Sequence, residues 1–479
     1  MKNPILHLAT FFSICIAAQA ESPAEFRAWL AEIGVTPTEP KPDTPKPKIE
    51  LGRALFFDPI IGGNQDVSCS TCHHPRTGTS DGRSRAVGTQ AYVSKGRRLP
   101  QGLNLIDIPG GEPVLTGFNL NRVGHPFTPR NSPDCFNRGD SEWHTMFWDG
   151  RVHLNENNRF AVNNMRLTKS PGHYQVVLPK IVENVLAAQA MMPVLSNDEM
   201  RGTKGQTGAG GVHNEVGEVL QQNEEEIWAA LMKRLLVIPE YVDLFQEAYP
   251  GSEPDELHFA HAANAIAAFE IDAFTFHDSP WDRFLAGEDD ALASDALAGA
   301  RLFYGKANCS QCHTGRLMTD QKMHNMAVVP IGPGPHPEED ADFGVAHRSN
   351  AGLDEKYAFR TTPLRNVELT GPYMHNGAYK TLEEAVRQQL DPIYHLENYD
   401  LSQLEPEFRG AVHNDKNTIR DVKRTFTKHV EFPVQVSDAE VDQLVSFLKS
   451  LTSPSARDLD HIIPESVPSG LEMVVPFVD

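Results

Sequence analysis

The sequence of 479 residues lacks any apolar run long enough to span a bilayer, which takes about 18 or more residues. Its one apolar run lies at the amino terminus, where Lys2 precedes residues 5–17 and an Ala-Gln-Ala cleavage pattern at residues 18–20. This order is typical of a secretory signal peptide, so residues 1–20 are expected to be removed, with export to the periplasm in a bacterium. A buried amino-terminal helix is the alternative.

Basic residues are scarce, with 43 Lys and Arg against 64 Asp and Glu, and the formal net charge is -21. Such a charge disfavours nucleic acid and anionic membranes as partners and favours a basic or locally positive protein. A merely soluble acidic surface is an equally good interpretation. We therefore expect no nucleic-acid partner and no membrane span.

Cysteine is sparse as well. Of the six cysteines, Cys15 belongs to the expected signal peptide and four lie in two Cys-x-x-Cys-His units. Cys135 is left without a partner, so the sequence predicts a buried free thiol rather than a framework of disulfides.

The two Cys-x-x-Cys-His units are typical of c-type haem attachment. Two thiols three residues apart can add to the two vinyl groups of a haem, and the adjacent His can bind the iron as proximal ligand. A redox dithiol or half a zinc site would explain one unit, but zinc ribbons do not need a His directly after each pair. The sequence therefore predicts two covalently attached haem c groups. Their ligands would be Cys69, Cys72, His73, Cys309, Cys312 and His313.

Similar amphipathic segments, residues 51–57 and 298–304, precede the two units and form the one internal repeat we find. The predicted fold is mainly α, with two cytochrome c-like haem domains and long loop insertions, divided as residues 21–280 and 281–479. The Gly-rich residues 201–218 are expected to form a mobile or irregular loop. Helices are expected at residues 178–192, 223–248, 255–277, 289–304, 381–390 and 437–451.

Several further motifs accompany the haem-attachment units. They are Arg130-Asn131-Ser132-Pro133, Phe147-Trp148-Asp149-Gly150-Arg151, Gln189 with Glu199-Met200, Thr362-Pro363-Leu364-Arg365-Asn366-Val367, and Pro372-Tyr373-Met374-His375-Asn376-Gly377. Taken together, the set resembles the bacterial di-haem cytochrome c peroxidase/MauG family over roughly residues 48–452.

The resemblance implies an enzyme whose amino-terminal haem reacts with hydrogen peroxide. Electrons would enter through the carboxy-terminal haem from a small c-type cytochrome or a cupredoxin. Gln189 and Glu199 match the family's distal pocket, and Glu199 would take a proton from bound peroxide and deliver one to the leaving oxygen. Trp148 matches the family's Trp between the haems. A solvated carboxylate and a core Trp are the plain alternatives.

The resemblance also implies a calcium ion between the domains. An Asn side chain resembling Asn131 and backbone carbonyls at positions resembling Thr370 and Pro372 would bind it. Ligation by oxygen alone suits calcium.

The chain departs from the family pattern in two places. Relatives that need reductive activation carry a capping His about sixteen residues beyond the first unit, where this chain has Thr89 and no His within residues 75–124. Unless His125 reaches back, the first haem is expected to be uncapped, as in MauG. At the second haem the sixth-ligand position holds Gln389, a poor iron ligand, with Met374 and His395 as substitutes.

Three functions compete. The first is a peroxidase with a small redox-protein donor, and the second is a MauG-like maturase that oxidises Trp or Tyr side chains of a partner protein. The third is a non-catalytic electron carrier, which needs both irons six-coordinate and unreactive. The uncapped first haem and Glu199 favour the first two, with a slight preference for the peroxidase. A homodimer is one option for its assembly.

Overall fold

The computed structural model describes most of the chain. The described residues are 22–94, 97–100, 104–106, 114–116, 127–155, 157, 159–162, 176–220, 222–332, 334–335, 341–347, 352–427 and 432–474. The structure is mainly helical, with 44% helix against 6% strand, which confirms the expected class. The expected signal peptide and His125 lie outside the described residues. Within the described part of the chain, no helix has the length and apolarity that crossing a membrane requires.

The helices fall into two groups, before and after residue 280. The first group is α1 (Pro23–Glu32), α2 (Lys46–Phe57), α3 (Cys69–Cys72), α4 (Val185–Ala190), α5 (Glu215–Glu218), α6 (Glu224–Leu235), α7 (Pro239–Ala248) and α8 (Phe259–Phe274). The second is α9 (Pro280–Leu285), α10 (Ser294–Tyr304), α11 (Leu382–Leu390), α12 (Pro392–Glu397), α13 (Lys416–Arg424) and α14 (Asp438–Lys449).

Short antiparallel strands fill the loops between these helices. Three pairs are β1 (Ala91–Ser94) with β2 (Arg97–Pro100), β3 (Asn104–Ile106) with β4 (Val114–Thr116), and β8 (Met323–His324) with β9 (Phe359–Arg360). A three-stranded sheet has the order β5 (Thr145–Met146), β6 (Val152–Leu154), β7 (Phe160–Val162). These strands are not predicted from the sequence, because two to four residues are too few to show an alternating pattern.

Two of the expected helices differ from what is observed. The helix expected at residues 178–192 extends only over α4, and Asn184 caps its start by accepting a hydrogen bond from the Ala187 N–H. The helix expected at residues 223–248 is two helices, α6 and α7, separated at Pro239. Proline disfavours helical geometry in the residue before it, so Pro239 ends one helix and begins the next.

One helix pair forms the centre of each half. In the first, α2 crosses α8 so closely that a Cβ on Gly52 would lie 1.8 Å from the Ala265 carbonyl oxygen. In the second, α10 crosses α14, and a Cβ on Gly299 would lie 1.9 Å from the Gln443 carbonyl oxygen. In both pairs the glycine allows backbone-to-backbone approach. The first helix of each pair leads into a Cys-x-x-Cys-His unit, so the sequence repeat is also a structural one.

The described ends of the chain pack on opposite halves. Helix α1 lies against the hydrophobic core of the second half. There the rings of Phe26 and Trp29 each approach Tyr304 with centroids 6.4 Å apart. The carboxy-terminal segment lies against the first core, where the Ser469 hydroxyl donates to Asp58 at 2.6 Å. Each end of the described chain therefore packs on the half to which it does not belong in sequence, and these contacts also join the two halves.

Candidate functional site

The first Cys-x-x-Cys-His unit begins with a single helical turn, α3. The Ser68 N–H donates to the Thr71 hydroxyl at 2.9 Å and fixes the start of the turn. His73 follows, and its Nδ1 lies 3.1 Å from the Thr79 carbonyl oxygen. Because a carbonyl only accepts, Nδ1 carries the proton and Nε2 keeps the lone pair that binds a metal. Burial lowers the pKa of His73, which keeps the ring neutral.

The second unit repeats this arrangement with different residues. His313 places Nδ1 3.0 Å from the Met318 carbonyl oxygen, and burial lowers the pKa of this ring too. Thr79 and Met318 both have a left-handed backbone, with φ of 57° and 56°. Each unit therefore offers two thiols and an imidazole whose Nδ1 lies at a backbone carbonyl. This donor set fits a c-type haem at each position.

Asp320 and His324 lie beside the second unit. Their side chains are 2.9 Å apart, and both lie close to the Cys312 sulfur. Of the described residues, these three form the one group of His, Cys, Asp and Glu side chains arranged closely enough to bind an ion. Cys312 belongs to the attachment pair, so we assign the group to the wall of the second haem site.

Gln189 and Glu199 lie on consecutive short elements. Gln189 is on α4, a 3₁₀ turn spans Pro193–Leu195, and Glu199 is in a π-helical turn at Asn197–Arg201. The Glu199 N–H donates to the Ser196 hydroxyl at 3.3 Å and starts that turn. Turns of the π type are rare in proteins, and many of those that occur lie at functional sites. The helix expected from the sequence ends at residue 192, and the π-helical turn was not predicted.

Charged groups around Glu199 act in opposite directions. Burial raises the pKa of the Glu199 carboxyl group, Arg151 and Arg130 lower it, and Asp149 adds to the increase. The net shift is upward. A carboxyl group whose pKa lies above its ordinary value is better matched to proton transfer near neutral pH.

A buried ion network connects these groups to the second half of the chain. Asp149 accepts from Arg130 at 2.7 Å and from Arg151 at 2.9 Å through the same oxygen, Oδ2. Arg130 continues with two hydrogen bonds to Asp342, at 2.6 and 3.0 Å. Arg130, Asp149 and Asp342 are all at least nine-tenths buried. The motifs contained Arg130, Asp149 and Arg151, but nothing in the sequence indicated Asp342 as their partner.

Trp148 lies where the two halves meet. Its Nε1–H donates to the Asn131 carbonyl at 2.9 Å, and its own carbonyl accepts from the Arg360 N–H at 2.7 Å. The edge of its ring faces His375 with centroids 6.3 Å apart, and His375 stacks on Phe359 at 3.5 Å. The indole is thereby fixed in orientation by groups from both halves.

The residues of the expected calcium site belong to adjoining loops. The Asn131 N–H donates to the His375 carbonyl at 2.8 Å, and its side-chain amide donates to the Arg83 carbonyl at 2.7 Å. Asn131 is thereby attached to the loop that contains Thr370 and Pro372. The calcium itself stays a prediction.

The three candidates for a sixth ligand at the second haem are divided between two places. The Gln389 amide lies 3.8 Å from the Met374 sulfur, so these two side chains adjoin. His395 lies on α12, where its ring faces Tyr394 and Tyr379 with centroids 5.4 and 6.3 Å apart. The structure therefore groups Met374 with Gln389 and leaves His395 in an aromatic cluster.

Thr89, which occupies the position expected for a capping His, is hydrogen-bonded to the segment that contains Glu199. The Thr89 N–H donates to the Glu199 carbonyl at 2.9 Å, and its hydroxyl donates to Asp66 at 2.7 Å. A Cβ on the preceding residue, Gly88, would lie 1.9 Å from the Asp198 carbonyl oxygen. This loop and the π-helical turn are therefore in direct backbone contact.

Cys135 is buried with a free thiol, as the sequence analysis expected. Its partner is Glu270, a buried acid on α8 that the sequence analysis missed. Burial raises the pKa of Glu270 to about 8, whereas the Cys135 thiol and Arg138 lower it. The available signal was a single acid within an otherwise apolar stretch of helix, Phe-Glu-Ile at residues 269–271.

Comparisons with known proteins found a matching family and several relatives. A family model described as di-haem cytochrome c peroxidase matches residues 46–290. A methylamine utilization protein MauG from Methylorubrum extorquens is 28% identical over 344 residues, covering 71% of this chain and 68% of the relative. A cytochrome c551 peroxidase from Pseudomonas aeruginosa is 29% identical over 345 residues, 70% of each chain.

One solved structure has a similar fold. It is a MauG-like protein associated with microbial copper homeostasis, with a TM-score of 0.52 and 23% identity. The match covers 91% of this chain and 97% of that one.

Proposed function

The chain belongs to the di-haem cytochrome c peroxidase family, and from this premise we propose that it is a periplasmic peroxidase that acts at its first haem. Membership implies an oxidoreductase with two c-type haems. The residues that would hold them are Cys69, Cys72 and His73 in the first half, and Cys309, Cys312 and His313 in the second. We further propose that each half is a cytochrome c-like domain, residues 21–280 and 281–479, with the chain ends exchanged.

The observation that carries the proposal is the environment of Glu199. A bound c-type haem supplies the iron and the redox chemistry that peroxide reduction needs. Glu199 takes a proton from one peroxide oxygen and delivers a proton to the other, so that two protons and two electrons turn the molecule into two waters. The raised pKa of Glu199 suits both the uptake and the delivery of the proton. Arg151 favours the ionised carboxylate with which the transfer begins.

Other residues have supporting roles in this proposal. Gln189 lines the distal side with Glu199 and orients the peroxide by hydrogen bonding. Trp148 passes electrons between the halves, since it is held by the Asn131 carbonyl on one side and Arg360 on the other. Calcium bound by Asn131, Thr370 and Pro372 would hold the two loops together through oxygen ligands.

Steady-state turnover tests the proposal. The mature protein, loaded with both haems, should consume hydrogen peroxide and oxidise two equivalents of a reduced small c-type cytochrome or cupredoxin per peroxide. A Trp148→Phe variant should keep its reaction with peroxide but lose most of the donor-driven rate. Failure of the intact di-haem protein to oxidise any such donor would contradict the peroxidase proposal.

A MauG-like maturase is the second candidate, favoured by the uncapped position at Thr89 and by Gln389 at the sixth-ligand position. It predicts little turnover with redox-protein donors and a mass change on a Trp or Tyr of one partner protein. Incubating the protein and peroxide with proteins encoded beside it, followed by peptide mass spectrometry, distinguishes the two. A non-catalytic electron carrier would show neither donor oxidation nor a modified partner.

A further inference from the structure

Three consecutive backbone carbonyls at the end of the π-helical turn receive hydrogen bonds from outside it. The Glu199 carbonyl accepts from the Thr89 N–H at 2.9 Å, and the Met200 carbonyl accepts from the Gly63 N–H at 2.7 Å. The Arg201 carbonyl accepts from the Asn214 side-chain amide at 2.9 Å. The last carbonyls of a helix have no partner within it, so external donors decide how that end is held.

The donors are themselves joined by side chains. Asn214 donates its amide also to Asn64 Oδ1 at 2.9 Å, and Asn64 donates to the Thr89 hydroxyl at 2.7 Å. The Thr89 hydroxyl donates a hydrogen bond to Asp66 at 2.7 Å. Asn64 and Asn214 are 1% and 0% exposed, so water does not compete for the bond between them. The chain of bonds therefore runs unbroken from the Arg201 carbonyl to Asp66.

Glycines bring the backbones close enough for these bonds. A Cβ on Gly63 would lie 1.8 Å from the Arg201 carbonyl oxygen, and one on Gly208 would lie 2.0 Å from the Asn64 carbonyl oxygen. The Ala209 N–H donates to that same Asn64 carbonyl at 2.8 Å. The Gly-rich segment, which the sequence analysis expected to be irregular or mobile, is irregular but is fastened to Asn64 at this point.

We propose that Asn64, Thr89 and Asn214 are positioning residues that hold Glu199 in place through its backbone; we call the three the carbonyl clamp. The inference rests on the proposed role of Glu199 and deepens it. The clamp does not touch peroxide, and it acts by restricting the turn from which Glu199 projects. Small displacements of a proton-transfer group cost large factors in rate, so loosening the turn should slow the reaction without removing the carboxyl group.

The test compares two substitutions of Thr89 in the di-haem protein. Thr89→Val keeps the size of the side chain and loses the hydroxyl that bonds to Asn64 and Asp66, whereas Thr89→Ser keeps the hydroxyl. Thr38→Val is the matched control, because Thr38 is buried and its hydroxyl also donates to a carboxylate, Asp282, at 3.1 Å. Two quantities are measured: amide hydrogen exchange at Met200 and Arg201, and the rate constant for peroxide as a function of pH.

We expect Thr89→Val to speed exchange at Met200 and Arg201, whose N–H groups bond to the Ser196 carbonyl, and to lower the peroxide rate constant about tenfold. The acid limb of the pH profile should also move, since the Glu199 environment changes. Thr89→Ser should show the exchange rate and the pH profile of the unmodified protein. Unchanged exchange in Thr89→Val would overturn the clamp, as would faster exchange with an unchanged rate, or a loss no larger than that of Thr38→Val.

A Glu199→Gln variant separates this inference from the proposed function. If Glu199→Gln reacts with peroxide at the unmodified rate, the acid–base role of Glu199 is wrong whatever the clamp variants do. If Glu199→Gln is slow and Thr89→Val is not, the proposed function stands and the clamp is wrong.

Discussion

In both halves a glycine lets the helix before the Cys-x-x-Cys-His unit cross its partner at backbone distance, Gly52 at Ala265 and Gly299 at Gln443. Both units also give the proximal His a backbone carbonyl from a residue with positive φ. The other sides of the two sites differ. The residue proposed for the distal side of the first is Glu199, in a π-helical turn near arginines, and the position proposed for the second is Gln389, which adjoins Met374.

If the proposed function holds, one scaffold serves two tasks and only the distal residues differ between them. The proximal side would hold the haem and keep the imidazole of the proximal His neutral. Both a reactive haem and an electron-transfer haem need this. The distal side decides whether a proton-transfer group is present. In the proposed function, peroxide chemistry therefore belongs to the first half and electron transfer to the second.

The largest effect should come from removing one attachment pair at a time. Cys69→Ser/Cys72→Ser should lower the mass by one haem and abolish the reaction with peroxide. Cys309→Ser/Cys312→Ser should also lose one haem but keep a direct reaction with peroxide, while donor-driven turnover disappears. Mass spectrometry and absorbance spectroscopy report both results. Equal loss of the peroxide reaction in the two variants would break the assignment of separate tasks.

The charge beside Glu199 is the next difference between the halves. Burial raises the pKa of Glu199 and Arg151 lowers it, so Arg151→Met should move this pKa further up. The ionised fraction at acidic pH then falls, and the acid limb of the peroxide rate profile should shift up by about one pH unit. Rates at alkaline pH should be nearly unchanged.

The control for that shift is Arg283→Met, an exposed arginine paired with Glu288 at 2.9 Å. It should leave the profile in place. A profile that Arg151→Met leaves unshifted would remove Arg151 from the account of the site.

The sequence predicted the covalent chemistry well and the long-range packing poorly. Haem attachment is indicated by five consecutive residues, and the resemblance to the family suggested Glu199, whose catalytic role stays a prediction. The pairing of Arg130 with Asp342 joins residues 212 positions apart, and that of Asn214 with Asn64 joins residues 150 apart. No local pattern predicts such pairs, because they depend on how distant loops meet.

Element bounds failed for identifiable reasons. The helix expected at residues 223–248 ignored the restriction that Pro239 places on Ile238, although that signal was in the sequence. No sequence signal indicated the π-helical turn, whose last carbonyls accept hydrogen bonds from Thr89, Gly63 and Asn214. The exchange of chain ends was also invisible, since apolar residues such as Phe26 and Trp29 do not show which core they join.

The shared helix crossing allows a matched stability test. Gly52→Ala and Gly299→Ala should each lower the free energy of unfolding by about 1–3 kcal/mol, because the new Cβ meets a backbone carbonyl. Gly410→Ala is the control, since a Cβ there has no neighbour within 4 Å. Thermal unfolding of the di-haem protein measures all three. A neutral effect in one half alone would mean that the two crossings are not equivalent.

The smallest effect concerns Glu270, which belongs to the first half. Burial raises its pKa to about 8, so between about pH 4.5 and 8 the unfolded chain is ionised at this residue while the folded chain stays protonated. Stability from this group is therefore present at low pH and is lost as pH rises towards 8. Glu270→Gln should raise the Tm by a few degrees at pH 8 and by less at pH 5. An advantage that is equal at both pH values would contradict the raised pKa.

The most direct test of the division of tasks is to mix the as-isolated ferric protein with hydrogen peroxide, without any reductant, and follow the haem absorbance. The account predicts an immediate change in the unmodified protein and in Asp198→Asn, slowed about a hundredfold or more in Glu199→Gln. A protein that responds to peroxide only after prior reduction, or a Glu199→Gln variant that reacts at the unmodified rate, would contradict it.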